Sequence, residues 1–171
     1  ALIEHLTRAL PGRIDVFGRG FQEVDDKAEA ILPYKYHLVL ENSDVPHFWT
    51  EKLADAYLGH ALPLFSGCAN VTEYFPAESL VILPPIEDLD GVTAVIADVL
   101  ARDPYEAHAA AIAVARQRLL DEHNLMSLLA RVVNGLGPAP PASAPALLRP
   151  ARDFKGLANV ARLYGLESWQ R

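Results

Sequence analysis

The sequence has little of what several large classes of protein depend on. It contains one cysteine, Cys68, and so forms no internal disulfide, which is typical of a reducing compartment such as the cytoplasm. The sequence contains 15 Lys and Arg and 22 Asp and Glu, which gives a formal net charge of -7. This charge argues against nucleic-acid binding, which needs clustered positive charge. No apolar run reaches the roughly 18 residues of a membrane span, and no secretory leader opens the chain.

The composition is instead that of a folded globular protein. Hydrophobic residues make up 51% of the 171 positions and charged residues 22%, which excludes disorder over most of the length. A chain of this size forms one domain or half of a two-domain enzyme, and it buries roughly 70% of its unfolded surface on folding.

Helical and strand patterns alternate along the first hundred residues. Strands separated by helices of about ten residues indicate βαβ units. We therefore predict an α/β fold, a Rossmann-like parallel sheet with helices on both faces. The predicted helices cover 1–10, 22–32, 50–60, 89–100 and a run from Pro104 that Asp103 caps, and the predicted strands cover 13–17, 35–41, 61–67 and 79–83.

Three regions follow from the composition along the chain. Residues 1–136 form the Rossmann-like domain, and the Pro/Ala-rich stretch 137–150 predicts an extended linker. Residues 151–171 recover apolar spacing typical of a helix. We expect this tail to fold back on the domain, with contact to a membrane surface or a partner as the alternative.

Polar residues gather where one predicted strand ends and the next helix begins. Ligands of parallel α/β sheets bind at the carboxyl ends of strands, beside helix N termini that attract phosphate. Lys52 places a positive charge near the positive end of the helix dipole, which costs about 0.3 to 1 kcal/mol of helix stability. A lysine–phosphate contact contributes about 1.5 to 3 kcal/mol and outweighs that cost. The spacing thus favours a diphosphate at Lys52 and ribose hydroxyls at Glu51, and the alternative is an ordinary helix start with a solvated lysine. The residues concerned are Glu41, Asn42, Ser43, Thr50, Glu51 and Lys52.

These residues also carry a family resemblance. "YKYHLVLENS", a gap of six residues, "TEKLADAYLGHALPLFSG" and the later "YFPAESLVIL" resemble the signature of the alpha-1,3-fucosyltransferases, in which YKF-x-x-x-FENS precedes TEK. The resemblance runs from about Ile14 to Val133. It implies the C-terminal half of a GT-B enzyme that binds GDP-fucose as its donor substrate, inverts the anomeric centre and needs no metal or cofactor. It further implies a donor site made of Glu41, Asn42, Ser43, Phe48, Thr50, Glu51 and Lys52, with Glu51 on ribose and Lys52 on the diphosphate.

The sequence departs from the family pattern at several points. Phe48 stands where the family usually has tyrosine, and Leu40 replaces phenylalanine. The family's phosphate-contacting arginine is expected just before Ala1, and the acceptor-binding half with its general base is expected outside the chain. Because the chain begins inside a predicted helix, we expect a fragment, or an engineered or processed start. Without the acceptor-binding half, we expect that this chain does not transfer sugar by itself.

The resulting functional prediction is the donor-binding domain of an inverting, fucosyltransferase-like enzyme. Its partners are GDP-fucose and a glycan acceptor, such as a bacterial surface polysaccharide, and its location is the cytoplasm, either free or peripheral to the membrane. Two alternatives stay open. The chain is a catalytically incomplete binding module of the same fold, or the enzyme uses another nucleotide sugar.

Other motifs are better explained by structure than by chemistry. Asp88-Leu89-Asp90 spells a metal-binding DxD but precedes a predicted helix, where aspartates are usually caps. The six histidines show no zinc-site spacing. Cys68 follows an apolar run that indicates packing, and Gly18 with Gly20 indicates a tight turn rather than a phosphate loop.

Overall fold

A computed structural model describes residues 2–136, so the predicted linker and tail lie outside the described residues. The chain divides into two compact units, Ala1–Val132 and Val133–Arg171. No helix in the part that the structure describes is long and apolar enough to span a bilayer. The helices and strands are α1 (Leu2–Ala9), β1 (Tyr36–Leu40), α2 (Glu51–Leu58), β2 (Leu62–Ser66), β3 (Val81–Ile82), α3 (Leu89–Arg102), α4 (Tyr105–Glu122) and α5 (Leu125–Gly135).

The three strands form a parallel sheet in the order β1-β2-β3, with β1 at one edge. The register pairs Leu38 with Leu64 and Val39 with Phe65. Because successive side chains point to opposite faces of a sheet, these two pairs begin two separate cores.

Each face of the sheet is covered by its own pair of helices. Val39 and Phe65 pack in a cluster with residues of α2 and α4, and Leu64 packs in a second cluster with residues of α1 and α3. The predicted α/β class, a parallel sheet with helices on both faces, is confirmed. The buried helical residues are Leu53, Ala56, Tyr57, Ile112, Ala115 and Leu119 on the first face, and Leu6, Val92, Ile96 and Val99 on the second.

The helix that leads into the site, α2, forms where the sequence predicts it. The side chain of its N-cap, Thr50, accepts a hydrogen bond from the backbone N–H of Lys52. Leu53 and Tyr57 recur at helical spacing and are fully buried against the sheet. The Tyr57 hydroxyl lies 2.8 Å from the buried Ser79 hydroxyl, which itself donates to the carbonyl of Pro76. Packing and capping therefore fix the direction of this helix.

The predicted strand over 13–17 is wrong. This segment makes only an isolated bridge between Phe17 and Gln22, and its chain reverses through a turn in which Phe21 donates to the Gly18 carbonyl at 2.9 Å. Gly18 and Gly20 have φ angles of 115° and 84°, which glycine adopts at no steric cost. The predicted tight turn is confirmed, and it reverses the chain before a ladder with β1 forms.

The predicted helix over 22–32 shortens to one 3-10 turn, Lys27–Ala30. Its start is delayed because the Asp26 carboxylate caps it by accepting from the backbone N–H of Ala28 at 2.8 Å. Pro33 lies only seven residues beyond that cap, too short a distance for a stable helix without tertiary support.

Asp103 is not the N-cap of α4, as the Asp-Pro sequence predicts. It ends α3 in the left-handed region, with φ 42°, and Pro104 occupies the N-cap position of α4. The Asp103 carboxylate accepts hydrogen bonds from the Tyr36 hydroxyl at 2.5 Å and from the Lys35 ammonium at 3.0 Å. These bonds to the start of β1 take the side chain away from the helix that follows.

Candidate functional site

The candidate site lies at the carboxyl ends of β1 and β2, beside the N terminus of α2. The segment 41–50 leaves β1 and returns to start α2, and the segment 67–74 leaves β2 next to it. Parallel strands bring these two loops to one edge of the sheet, which is where ligands of open α/β sheets bind.

Glu41, at the start of the loop 41–50, forms hydrogen bonds with Thr50 at its end. One carboxylate oxygen accepts from the Thr50 backbone N–H and the other from the Thr50 hydroxyl, each at 2.8 Å. A side chain at position 67 would collide with Glu41 and Phe65, so Gly67 makes room for this contact. Both Glu41 oxygens are thus engaged within the chain, and the residue acts here as a brace for the loop.

Lys52 is held in place by neutral oxygens. Its Nζ donates to the Leu40 carbonyl at 2.8 Å and to the Asn42 side-chain oxygen at 2.9 Å, while the side chain is part-buried. Within residues 2–136, Lys27, Lys35 and Arg102 pair with carboxylates, whereas Lys52 has no carboxylate within 4 Å. An ammonium has three donors, so one remains for a ligand.

The other predicted residues lie on the same loop or in the first turn of α2 and take no part in this network. Ser43 Oγ accepts from the Val45 backbone N–H at 3.3 Å, which tightens the loop after β1. Phe48 exposes 40% of its surface, and Glu51 is exposed in the first turn of α2. The structure therefore joins Glu41, Asn42, Thr50 and Lys52 into one network and leaves the remaining three exposed or half-exposed beside it.

A cavity of about 600 Å³ opens beside the outer edge of β1. Leu40 and Lys52 line one part of it, and the irregular segment 13–18 lines another. Its volume falls in the range of small-molecule sites, about 300 to 1,000 Å³. The cavity also borders His37, whose Nδ1 is buried without a hydrogen-bond partner in the described chain. Burial lowers the pKa of His37, so its imidazole is neutral near neutral pH.

Sequence patterns missed a cluster formed by His47, Asn70 and Tyr74. The Asn70 side-chain oxygen accepts from the His47 backbone N–H at 2.7 Å, and the Tyr74 hydroxyl lies 2.7 Å from His47 Nδ1. Trp49 packs edge-on against Tyr74 with ring centroids 5.9 Å apart. The cluster ties the loop after β1 to the loop after β2, a contact across 23 positions that spacing alone does not reveal.

The motifs set aside at the sequence level have structural roles. Asp88 caps α3 by accepting from the Gly91 backbone N–H at 2.9 Å, as predicted for an aspartate at a helix start. Cys68 is buried in the core, and burial, with the nearby Glu41 charge, raises the pKa of its thiol, which stays protonated. Within residues 2–136, no three His, Cys, Asp or Glu side chains are grouped so as to hold a metal ion.

The fold and the site together define a class of protein: a parallel α/β domain with a lysine held by two hydrogen bonds beside the carboxyl end of β1, next to a cavity. Comparison with known proteins specifies it further. Residues 1–102 match the model of glycosyltransferase family 10 (fucosyltransferase), C-terminal part, and the chain belongs to this family. The resemblance predicted from the sequence is confirmed, and with it membership of a glycosyltransferase family.

Two sequence relatives agree with this assignment. The alpha-(1,3)-fucosyltransferase FucT of Helicobacter pylori is 33% identical over 67 residues, 39% of this chain and 14% of that protein. A fucosyltransferase-like protein of Arabidopsis thaliana is 31% identical over 84 residues, 47% of this chain and 16% of that protein. A crystal structure of an alpha1,3-fucosyltransferase is similar with a TM-score of 0.48 and 23% identity, covering 63% of this chain and 32% of that one. The chain thus matches only a small part of the length of these relatives.

Proposed function

We propose that this chain is the donor-binding half of a GT-B fucosyltransferase, which binds GDP-fucose and supplies the fucosyl group to a glycan acceptor with inversion. The observation that carries the proposal is the environment of Lys52. Its ammonium is part-buried, held by the Leu40 carbonyl and the Asn42 amide oxygen, and has no carboxylate within 4 Å in the described chain.

A fixed cation of this kind favours an anionic ligand. Two neutral oxygens orient the ammonium but leave its charge uncompensated, and a part-buried charge is costly unless it is paired. A diphosphate supplies the missing charge and acceptors, because charge-assisted hydrogen bonds to phosphate are about twice as strong as neutral ones. The partial positive charge at the N terminus of α2 adds a second attraction for the same anion.

The same geometry suits the chemical step of the proposed reaction. In an inverting transfer, an acceptor hydroxyl gives its proton to a general base, and its oxygen forms a bond to the anomeric carbon while the bond from that carbon to the GDP β-phosphate oxygen breaks. Negative charge then develops on the leaving diphosphate. Lys52 is already oriented by two hydrogen bonds and stabilises this charge without reorganisation. Glu51, exposed one position earlier, has a carboxylate available to ribose hydroxyls.

Further parts of the proposal concern partners and place. We propose that the reaction uses no metal or other cofactor, that the acceptor-binding half and its general base belong to chain outside these 171 residues, and that the enzyme works in the cytoplasm. A role for residues 151–171 at the membrane stays a prediction. These statements rest on family membership rather than on a contact among residues 2–136.

Calorimetry with a panel of nucleotides tests the proposal. The 171-residue chain should bind GDP more tightly than UDP, ADP or CMP. Tighter binding of one of the other three would argue for a different donor, and equal affinity for all four would contradict recognition of the guanine base. A chain that includes the preceding residues should transfer labelled fucose from GDP-fucose to a glycan. Binding of GDP without transfer by that longer chain would instead support a binding module that has lost catalysis.

A further inference from the structure

The sheet has an open edge along β1. Backbone bonds to β2 use the carbonyl of Lys35 and the N–H of Glu41, so by alternation the N–H and carbonyl of Leu38 and the N–H of Leu40 point away from β2. No hydrogen bond joins these three groups to another residue within 2–136. Unpaired backbone groups along a strand are a template for a further strand.

The cavity beside β1 has room for one strand. Both β1 and the segment 13–18 line it over their whole lengths, and no backbone hydrogen bond joins the two in the described chain. The spacing of neighbouring strands, the rise per residue and the distance between packed layers together give about 160 Å³ for each residue of a strand. The cavity volume of about 600 Å³ therefore holds roughly four residues of a single strand.

The segment 13–18 is held in place as the second wall of this cavity. The Asp15 carboxylate accepts a hydrogen bond from the Tyr34 hydroxyl at 2.9 Å, and Phe17 packs edge-on against Tyr34 with ring centroids 5.7 Å apart. The segment has the composition of a strand, but its isolated bridge at Phe17 is no ladder. A strand in the cavity would give it the neighbour that strand structure requires.

The course of α1 indicates where such a strand would come from. The helix α3 runs from the carboxyl edge of the sheet to Asp103, beside the start of β1. His5 lies 3.9 Å from Asp90 in the first turn of α3, and Arg13 donates to the Leu100 carbonyl in its last turn at 3.4 Å. The helix α1 therefore also begins at the carboxyl edge. A strand parallel to β1 ends at that edge, so a short connection joins it to α1.

The βαβ unit formed in this way has the required hand. The strand β1 leads to β2 through α2, which covers the first face of the sheet. The added strand would lead in the opposite direction, to the segment 13–18, through α1, which covers the second face. Because the direction and the face are both reversed, the two crossovers have the same hand, as parallel crossovers in one sheet do.

We propose that the cavity beside β1 is the place of a further parallel strand, formed by the residues that precede Ala1 in the complete protein. This strand pairs with β1 on one side and with the segment 13–18 on the other. The matching region makes up only 14% and 16% of the two sequence relatives, so domains of this kind occur within longer chains. A second copy fits the cavity less well, because the segment 13–18 obstructs the approach of another sheet to β1.

Amide hydrogen exchange tests the proposal in two proteins, the 171-residue chain and a chain extended by its own preceding residues. In the extended chain, the amides of Leu38 and Leu40 should exchange at least about tenfold more slowly, as expected for one added hydrogen bond each. The amide of Val39, which faces β2, is the internal control and should be protected in both proteins. Equal exchange of Leu38 in the two proteins would overturn the proposal.

A charge on the wall of the cavity provides a second test. Val16→Glu adds a carboxylate to the lining, and Val114→Glu, on the exposed surface of α4, is the matched control. In the extended chain, Val16→Glu should abolish the slow exchange of Leu38, whereas Val114→Glu should leave it unchanged. Slow exchange retained in Val16→Glu would place the partner of Leu38 outside the cavity and contradict the proposal. Urea unfolding of each variant confirms that it is folded.

The remaining outcomes concern other occupants and the proposed function. Slow exchange of Leu38 in the 171-residue chain would overturn the proposal, because the cavity would then be filled without the preceding residues. If that protection rose with protein concentration, it would assign the cavity to a second copy. The inference does not depend on GDP binding. An extended chain that protects Leu38 but binds no GDP in calorimetry would support the added strand and refute the proposed function alone.

Discussion

Replacing Lys52 with methionine provides the most direct test of the site. Lys52→Met keeps the length of the side chain but removes the ammonium that donates to Leu40 and Asn42. We expect a large loss of affinity for GDP because the ammonium is already ordered, at 2.8 and 2.9 Å from two oxygens, before the ligand binds. Little of the interaction energy is then spent on immobilising a flexible side chain.

The magnitude follows from the type of bond. A hydrogen bond to a charged group contributes about 1.5 to 3 kcal/mol, and each 1.4 kcal/mol changes Kd about tenfold. Lys52→Met should therefore raise the Kd for GDP by roughly 10- to 150-fold in calorimetry. The loss should shrink at high ionic strength, because salt screens the wild-type attraction between charges.

Lys27 offers a matched control on the same cavity. It also lines the space beside β1, but its ammonium is exposed and pairs with the carboxylate of Asp55. Lys27→Met should leave the affinity for GDP within about twofold of the wild type, since exposed ion pairs contribute little. If both variants bind GDP like the wild type, or if both lose affinity equally, the uncompensated charge of Lys52 is not what holds the diphosphate.

Three further predictions concern stability. Glu41→Ala should lower the free energy of unfolding in urea by about 1 to 3 kcal/mol, because the backbone N–H of Thr50 loses its acceptor; no change would mean that Glu41 is free to serve a ligand instead. Ser79→Ala should lower the free energy of unfolding more than Tyr57→Phe does. Ser79→Ala leaves the buried Tyr57 hydroxyl without a partner, whereas in Tyr57→Phe the Ser79 hydroxyl still donates to the Pro76 carbonyl. Equal losses in the two variants would contradict this. The pKa of His37 is lowered by burial, so the unfolded chain binds the proton first, and stability should fall as the pH drops from about 6.5 through the folded pKa. His37→Gln should flatten that dependence in unfolding curves recorded between mildly acidic and neutral pH.

The elements that are buried on one face could be predicted from the sequence. Leu53 and Tyr57 repeat at helical spacing behind a Thr50 cap, and the apolar run at 35–41 is typical of a strand in a covered parallel sheet. In these segments, local preference and tertiary packing favour the same structure. The cluster of Glu41, Thr50 and Lys52 could be predicted for the same reason, because one strand and one helix place it.

The errors arose where a distant partner decides the structure. Asp103 precedes a proline in a sequence typical of an N-cap, but Tyr36 and Lys35, 67 and 68 positions away, bind its carboxylate. The segment 13–17 has the composition of a strand, yet strand structure requires a neighbouring ladder, and the Gly18–Phe21 turn redirects the chain. The hydrogen bond from the His47 backbone N–H to the Asn70 side chain is likewise a contact between loops, which neither periodicity nor spacing predicts.

Lys52 also limits how the sheet can grow. Backbone bonds between β1 and β2 use Lys35 and Glu41, so by alternation the Leu40 carbonyl points away from β2, and Lys52 occupies it. A strand added from another molecule could pair along the earlier part of β1 but would find its last acceptor already taken. Lys52 thereby stops the pairing of an added strand before it reaches the end of β1, where we propose that the diphosphate binds.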